Sequence, residues 1–338
     1  MKMNGSAYFA LGYACNHNCI ICPVGERKTV PGDAVTDNSQ IRIWHDTLNA
    51  NGVKNVVLSG GEPTMQRNLF PVLKELADTD IRVTILSNGE NFADKELASK
   101  VTNSFPSERL SIVTAFHASY ESLHEEICGR KGSFKRTLEG AENILNAGIS
   151  FTVKHCIHGM NADDSRNFAG FVNSMFPENV PLVLCGIDYV GICEENLEKV
   201  KLPWAGLGNA LEDALDEFEK NEALGCRRMA SVIETPLCIV DPYYWRFFRA
   251  GASEAIEVYA DAGANANVSR DVTGESYCSK DEGSEINASK NEINISQNVE
   301  SECNTEYNKC VKCRVKAHCP GAWRSAVEVL SEDGLNTI

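Results

Sequence analysis

Three cysteines near the start of the chain have a spacing that suits an iron–sulfur cluster. Three residues separate Cys15 from Cys19, and two separate Cys19 from Cys22. Three thiolates on one loop would bind three irons of a 4Fe–4S cubane and leave the fourth iron open. An open metal position is typical of a reactive site rather than a structural one. The alternative is a structural zinc ion, completed by His17 or a later residue.

A glycine-rich motif follows the next apolar run of the chain. Residues 54–59 predict a short buried strand, and Gly60-Gly61-Glu62-Pro63 comes directly after it. Gly61 has no Cβ, so backbone can approach a ligand closely there. Glu62 offers an acceptor for an ammonium group. A ligand with amino and carboxylate groups, such as S-adenosylmethionine (SAM), could chelate the open iron beside such a loop.

The alternation of strands and helices predicts the fold that must position these motifs. Continuous apolar strands separated by helices are typical of a parallel sheet with right-handed crossovers. Six such units are too few for a closed eightfold barrel, so we expect an α/β fold with a partial (βα)6 barrel. Ligands of such sheets lie at the carboxyl ends of the strands, where the cysteine loop, the loop at 60–63 and the turn at 87–89 all fall. The predicted strands are 7–12, 54–59, 81–86, 110–116, 149–156 and 180–187.

Both motifs resemble those of the radical SAM superfamily. Its cysteine motif has the spacing found here, its second strand ends in a similar Gly-Gly-Glu sequence, and the resemblance covers about residues 7–187. It implies an enzyme that cleaves SAM reductively to a 5′-deoxyadenosyl radical, which abstracts hydrogen from a substrate. The catalytic cluster ligands would be Cys15, Cys19 and Cys22. The resemblance also implies SAM-binding positions at Gly60, Gly61, Glu62, Pro63, Ser87, Asn88, Thr114, His117 and Lys154.

A second cysteine cluster lies near the end of the chain. Cys310, Cys313 and Cys319 supply three thiolates; Cys238 is the expected fourth ligand, and Cys303 is the runner-up. The long stretch between Cys238 and the late cysteines adds little loop-closure entropy. The pattern predicts a second, auxiliary 4Fe–4S cluster, and a structural zinc ion is the alternative.

The C-terminal region resembles the twitch version of the SPASM domain of radical SAM peptide maturases. The Pro-Leu-Cys sequence at 236–238, Trp245 and the late cysteines are similar to maturases of the His-Xaa-Ser peptide systems. This resemblance implies a ribosomally synthesised peptide substrate, modified by a crosslink, a thioether or an epimerisation. It also implies an electron donor such as flavodoxin or ferredoxin. Because the chain begins directly at its first strand, we expect a separate protein or the acidic surface to hold any leader peptide.

Two other interpretations remain open at this point. A small metabolite or a protein side chain could replace the peptide as the substrate. A two-cluster electron carrier or metal-binding protein belongs to another functional class, and the motif at 60–63 argues against it because a carrier needs no SAM-binding loop.

The composition of the chain indicates which kinds of partner and which cellular compartment to expect. The chain of 338 residues has 32 Lys and Arg against 47 Asp and Glu, and an acidic surface repels a phosphate backbone, so we expect no nucleic acid partner. Neither a secretory signal nor a stretch of roughly 20 apolar residues is visible, so we expect a cytoplasmic protein without membrane contact. The expected domains are the barrel at 1–190, a bridging segment at 191–235, and the auxiliary-cluster domain at 236–338 with a polar insertion at about 261–302.

The chain holds 14 cysteines in all, which favours metal ligation over disulfides where no export signal is present. Most of the cysteines outside the two clusters are expected to be buried as small hydrophobic residues. Cys185 and Cys193 flank the end of the sixth predicted strand and could face the substrate, provided that their setting is electropositive. Apart from the ligands expected for the two clusters and the runner-up Cys303, the cysteines include Cys128, Cys156, Cys185, Cys193 and Cys226.

Overall fold

A computed structural model of the chain describes both cysteine clusters and the predicted barrel apart from residues 1–5 and the first crossover. Cys226, Cys303 and the expected polar insertion lie outside the described residues. Within the described part, no helix has the length and apolar character needed to cross a bilayer. The described residues are 6–25, 53–223, 225, 228–249, 255–259, 310, 312–331 and 334–335.

One parallel sheet forms the centre of the molecule. Its strand order is β7-β6-β5-β4-β3-β2-β1-β8, and each neighbouring pair is parallel. Within the described residues no pairing joins β7 to β8, so the barrel is partial. The strands are β1 Ser6–Ala10, β2 Asn55–Ser59, β3 Arg82–Ser87, β4 Leu110–Ala115, β5 Ser150–Cys156, β6 Leu182–Cys185, β7 Ala230–Ile233 and β8 Ala255–Tyr259.

The α/β class with a parallel sheet is confirmed, and two edge strands extend the six that the alternation predicts. β7 pairs with β6, and β8 pairs with β1. The sheet therefore continues beyond residue 190, where the sequence suggests that the barrel ends. β8 pairs with β1, which is far from it in the chain. The alternation of strands and helices along the sequence cannot predict a pairing between such distant segments.

Helices cover one face of the sheet, and local signals set some of their ends. The carboxylate of Asp94 accepts a hydrogen bond from the backbone N–H of Glu96 at the start of α2. Gly129 ends α3 in the left-handed region at φ 61°. The helices are α1 Leu69–Ala77, α2 Lys95–Ser104, α3 Glu121–Cys128, α4 Ser133–Asn146, α5 Ser165–Met175, α6 Ile192–Glu195, α7 Leu197–Val200, α8 Trp204–Ala223 and α9 Arg324–Leu330.

Alternate residues of each strand face the helices or the lumen of the partial barrel. On β5, Val153 and His155 are fully buried, and the ring of His155 stacks on Phe168 of α5 with the ring centroids 3.8 Å apart. Lys154 and Cys156 point the other way, into the lumen. The lumen face is therefore the half-buried face, on which polar side chains are available for a ligand.

The C-terminal segment packs against the end of β6. The hydroxyl of Ser325 in α9 donates to Asp188 and accepts from the backbone N–H of Tyr189 at 2.9 Å. The indole N–H of Trp204 donates to the carbonyl of Ser331 at 2.9 Å. These contacts hold the segment that carries the late cysteines on the carboxyl edge of the sheet.

Candidate active site

Backbone hydrogen bonds join the loops that follow β1 and β2. The N–H of Gly61 donates to the carbonyl of Gly12, and that of Glu62 donates to Ala14, both at 2.8 Å. A Cβ on Gly61 would lie 2.4 Å from the carbonyl oxygens of Tyr13 and Ala14. The close approach at Gly61 is thus to the chain's own backbone, immediately before the first cysteine of the loop.

The carboxylate of Glu62 is buried and binds donors from its own chain. Its Oε1 accepts from the hydroxyl of Ser87 at 2.8 Å and from the hydroxyl and backbone N–H of Thr64 at 2.7 and 3.0 Å. Its Oε2 accepts from the backbone N–H of Asn88 at 2.8 Å. A carboxylate has about four acceptor positions, so the structure uses Glu62 to tie the ends of β2 and β3 together. Three of these four donors bind Oε1 and one binds Oε2, and the ammonium partner expected from the sequence stays a prediction.

Asn88 connects the end of β3 to the cysteine loop. Its side-chain amide donates to Oδ1 of Asn16 at 2.7 Å and lies 4.0 Å from the sulfur of Cys15. Its Oδ1 accepts from the backbone N–H of Glu90 at 3.0 Å. The structure therefore brings together three of the sequence motifs, namely the cysteine loop, the loop at 60–63 and the turn after β3.

The cysteine loop is also attached to the end of α3 and to a later segment. The N–H of Asn18 donates to the carbonyl of Cys128 at 2.9 Å, and that of Ile20 donates to Ile127 at 3.0 Å. The carbonyl of Cys22 accepts from the N–H of Ile192 at 3.0 Å. These hydrogen bonds fix the backbone of the cysteine loop. The three cysteines of the loop, Cys15, Cys19 and Cys22, are half-buried.

A buried carboxylate that the sequence motifs do not indicate supports this loop. Glu90 is 2% exposed, and its Oε2 lies 2.8 Å from Nε2 of His17. Its Oε1 accepts from Arg130 at 3.0 Å and from Arg136 at 3.1 Å. Burial alone would raise the pKa of Glu90, but the hydrogen bonds from Arg130 and His17 outweigh it and leave the pKa below its ordinary value. Glu90 is therefore a charged anchor for the residue between the first two cysteines.

Cys19 lies in a setting that favours its thiolate. A hydrogen bond from Cys128, assisted by His117 and His17, outweighs burial and holds the pKa of Cys19 well below its ordinary value. A thiolate is the form that binds metal. The ligand atoms of His17, Cys19 and Cys128 lie within 4.8 Å of one another. This trio is the arrangement that a single zinc ion could use, and it includes His17 but neither Cys15 nor Cys22.

Three of the SAM-binding positions implied by the resemblance, Thr114, His117 and Lys154, lie in different parts of the barrel. Thr114 is fully buried on the helix-facing side of β4, in register with Val153, and therefore does not face the lumen. His117 is buried, and its backbone N–H donates to Nδ1 of His124 at 3.2 Å. Lys154 faces the lumen, with Nζ 3.8 Å from Oε2 of Glu234 at the end of β7. Of the three, Lys154 is on the lumen face, Thr114 supports the sheet, and His117 lies near Cys19.

The second cysteine cluster is partly assembled by hydrogen bonds to sulfur. The backbone N–H groups of Leu237 and Gly321 donate to Sγ of Cys319 at 3.3 and 3.4 Å. This brings Cys238, the neighbour of Leu237, next to Cys319. The N–H of Cys313 donates to the carbonyl of Cys310 at 3.1 Å. All four cysteines are half-buried.

The family comparison bears on the first of these sites. Residues 10–172 match the model of the radical SAM superfamily, from the end of β1 to α5. The chain contains a radical SAM domain. The match includes the cysteine loop, the loop at 60–63 and the turn after β3. Sulfur ligands held on a loop at the carboxyl edge of the sheet, with a thiolate-stabilising setting at Cys19, fit the iron–sulfur cluster that this domain implies.

Curated relatives match the radical SAM domain at modest identity. The chain is 28% identical over 161 residues to the sporulation killing factor maturation protein SkfB of Bacillus subtilis. The aligned region covers 47% of this chain and 37% of SkfB. The chain is 28% identical over 151 residues to the AdoMet-dependent heme synthase of Methanosarcina barkeri, covering 44% and 42%. It is 27% identical over 176 residues to a probable GTP 3′,8-cyclase of Sulfolobus acidocaldarius, covering 51% and 53%. The match thus spans about two-fifths to half of each relative.

Solved structures share the fold over a larger part of the chain. Streptococcus suis SuiB bound to precursor peptide SuiA has a TM-score of 0.66 and 14% identity, covering 100% of this chain and 76% of that chain. Native anSMEcpe with bound AdoMet and the Cp18Cys peptide has a TM-score of 0.60 and 16% identity, covering 98% and 92%. At such identities the likeness establishes the fold of the radical SAM domain.

Proposed function

We propose that this protein cleaves SAM reductively and modifies a ribosomally synthesised peptide. The observation that carries the proposal is the joining of the cysteine loop to the loop at 60–63 and to Asn88 by hydrogen bonds. A structural metal site would need the cysteines alone, whereas here the loop at 60–63, which the resemblance implies binds SAM, is hydrogen-bonded to the residues just before Cys15.

Cys15, Cys19 and Cys22 would hold the first 4Fe–4S cluster. When bound, the cluster and SAM would supply a 5′-deoxyadenosyl radical that removes a hydrogen atom from carbon. The chain's own residues perform the positioning. Asn88 orients the start of the cysteine loop through Asn16, and the backbone contacts of the loop at 60–63 keep it beside Cys15.

Cys238, Cys310, Cys313 and Cys319 are the proposed ligands of an auxiliary cluster, within a domain at 236–338. Two observations support this: Cys319 accepts hydrogen bonds at its sulfur from Leu237 and Gly321, and Cys238 is next to Leu237. Hydrogen bonds to sulfur are among the features that tune iron–sulfur sites. A cluster with four protein thiolates has no open iron for substrate, so its proposed role is to take up an electron from the substrate.

Peptide substrates are supported by the resemblance of the C-terminal region and by the relatives. SkfB is named as a maturation protein, and the SuiB structure of the same fold contains a precursor peptide. A flavodoxin or ferredoxin is the proposed electron donor, a separate protein is the proposed holder of any leader peptide, and the cytoplasm is the proposed compartment.

A peptide encoded beside this protein provides the test. The full chain, reconstituted anaerobically with iron and sulfide, would be incubated with SAM, dithionite and that peptide, and both products would be measured by mass spectrometry. We expect 5′-deoxyadenosine together with a changed peptide mass. Release of 5′-deoxyadenosine with an unchanged peptide would reject the peptide substrate.

A small metabolite is the second candidate substrate, because the heme synthase and the GTP cyclase match the same domain at similar identity. The same reaction without peptide, supplied with GTP or with an iron porphyrin, distinguishes the two candidates. Turnover of either compound, with an unchanged peptide, would favour this second function.

Gly61→Ala is expected to lose most of its cluster iron. An added Cβ would press on the carbonyl oxygens of Tyr13 and Ala14, and overpacking of this kind costs about 1–3 kcal/mol. Iron and sulfide per chain, with thermal unfolding beside them, measure the effect. Gly170→Ala is the control, because the nearest atom to its added Cβ is 4.0 Å away. Wild-type iron content in Gly61→Ala would show that the loop does not depend on this contact.

Cys238→Ala is expected to halve the iron content, from about eight to about four irons per chain, because one of two cubanes would lack a ligand. Cys303→Ala and Cys193→Ala should retain the full content. Iron and sulfide analysis after anaerobic reconstitution makes the comparison. If Cys303→Ala loses iron and Cys238→Ala does not, the runner-up is the ligand.

A further inference from the structure

Two thiols outside both cysteine clusters lie side by side at the carboxyl ends of β5 and β6. Cys156 and Cys185 are in register on the neighbouring strands, and Sγ of Cys185 donates to Sγ of Cys156 over 3.6 Å. Neighbouring strands are about 4.8 Å apart, and bridged cysteines usually have Cα atoms about 4.4–6.8 Å apart. The strand spacing therefore allows these two sulfurs to be joined.

The thiol pair faces the lumen and has a cation beside it. Lys154 precedes Cys156 by two residues on β5 and so points to the same face. Its side chain is 27% exposed, and Cys156 is half-buried whereas Cys185 is buried, so Cys156 is the thiol that a small molecule would reach. The hydrogen bond from Cys185, which outweighs burial, and the ammonium of Lys154 lower the pKa of Cys156 to about 6. A part-exposed thiol in an electropositive setting is the kind that reacts.

An unusual backbone conformation places the counter-ion of this lysine. Glu234 has φ 53°, in the left-handed region that residues other than glycine seldom adopt. The hydroxyl of Thr235 holds the turn, since it donates to the carbonyl of Ile233 at 2.9 Å and accepts from the N–H of Gly186 at 3.2 Å. Backbone strain of this kind concentrates at functional sites, and here it brings a carboxylate to the lysine; this carboxylate raises the pKa of Cys156, but the effects of Cys185 and Lys154 outweigh it.

We propose that Cys156 and Cys185 form a redox-active dithiol that reduces low-molecular-weight disulfides in the lumen. The thiolate of Cys156 attacks one sulfur of R–S–S–R, forms a mixed disulfide and releases R–S⁻. Cys185 then loses its proton and attacks the sulfur of Cys156, which closes the Cys156–Cys185 disulfide and releases the second R–S⁻. The disulfide gains the two electrons that the dithiol loses, and a thiol reductant such as dithiothreitol restores the pair. This activity is separate from SAM cleavage.

Anaerobic treatment of the full chain with 2-hydroxyethyl disulfide, a small neutral probe, tests the proposal. After acid quenching and alkylation, mass spectrometry of a digest identifies the linked cysteines. We expect a Cys156–Cys185 linkage at roughly tenfold or more the level of any linkage that contains Cys193, because the neighbouring thiol has a high effective concentration. Recovery of Cys156 and Cys185 as separately alkylated residues in the wild-type protein would overturn the proposal.

A single variant tests the order of attack. Cys185→Ser should trap the hydroxyethyl mixed disulfide on Cys156, because the second attack is lost. Cys193→Ser is the matched control, since it removes a buried thiol outside the pair and should leave the linkage unchanged. Absence of the adduct from Cys156 in a folded Cys185→Ser protein would contradict Cys156 as the attacking thiol.

Discussion

Cys19→Ala is expected to abolish 5′-deoxyadenosine release, whereas Cys128→Ala is expected to retain most of the iron. Both sulfurs lie in the compact trio with His17, but only Cys19 belongs to the motif of the radical SAM domain. A cubane on Cys15, Cys19 and Cys22 does not need Cys128 as a ligand. A mononuclear zinc on the trio would need both cysteines equally. Metal analysis and product release on the two variants therefore separate the two kinds of site.

Cys128 still has a supporting role at this site, because its thiol donates to Cys19. Loss of a partner around a metal ligand typically costs 10–100-fold in metal affinity, so Cys128→Ala should bind iron about tenfold more weakly. Cys128→Ser is the matched control, since its hydroxyl can donate to the same sulfur. Equal loss of metal in Cys19→Ala and Cys128→Ala, with zinc in the wild-type protein, would contradict the cubane.

Glu90→Gln is expected to weaken iron binding by about 10–100-fold, although Glu90 is not a proposed ligand. The carboxylate meets His17, Arg130 and Arg136 in one buried network. Hydrogen bonds to charged groups contribute about 1.5–3 kcal/mol each. Because both arginines are half-exposed and solvent weakens their ion pairs, we expect the free energy of unfolding to fall by about 2 kcal/mol. Chelator titration of the reconstituted protein measures the affinity, and denaturant unfolding measures the stability.

A surface carboxylate provides the control for this variant. Glu139 forms a pair with Lys135 at 3.9 Å on the exposed side of α4, so Glu139→Gln should change stability by less than about 0.5 kcal/mol. If Glu90→Gln behaves like Glu139→Gln in both measurements, the network does not support the cysteine loop.

The contribution of Glu90 should also depend on pH in one direction. Its folded-state pKa lies below the ordinary value of 4.5, so the stabilisation is fully present above that value and is lost as the pH falls through the folded-state pKa. The difference in unfolding free energy between wild type and Glu90→Gln should therefore shrink as the pH falls below 4.5. A difference that grows on acidification would contradict the ion-pair network.

Local sequence signals predict much of the sheet and of the first site. The cysteine spacing and the loop at 60–63 are contiguous motifs, and each follows a strand, so their meeting at one edge follows from parallel topology. Strand alternation also contained a signal about Thr114 that the family resemblance does not use. Leu110, Ile112 and Thr114 have the same parity on β4, and two apolar side chains predict the helix-facing side for the third.

Other features depend on contacts that no local pattern reports. Glu90 gains its role only when the turn between α3 and α4 brings Arg130 beside it, and His17 arrives from the cysteine loop. The contact between Cys19 and Cys128 likewise depends on two backbone hydrogen bonds between separate segments. The Cys156–Cys185 pair follows from strand register, which is a property of the assembled sheet.

The most direct test of the radical SAM account is 5′-deoxyadenosine release by the anaerobically reconstituted, dithionite-reduced full chain, compared with a variant in which Cys15, Cys19 and Cys22 are all alanine. The account predicts release by the wild-type protein and none by the variant. Equal release from both proteins, or none from a wild-type protein that has its full iron content, would contradict it.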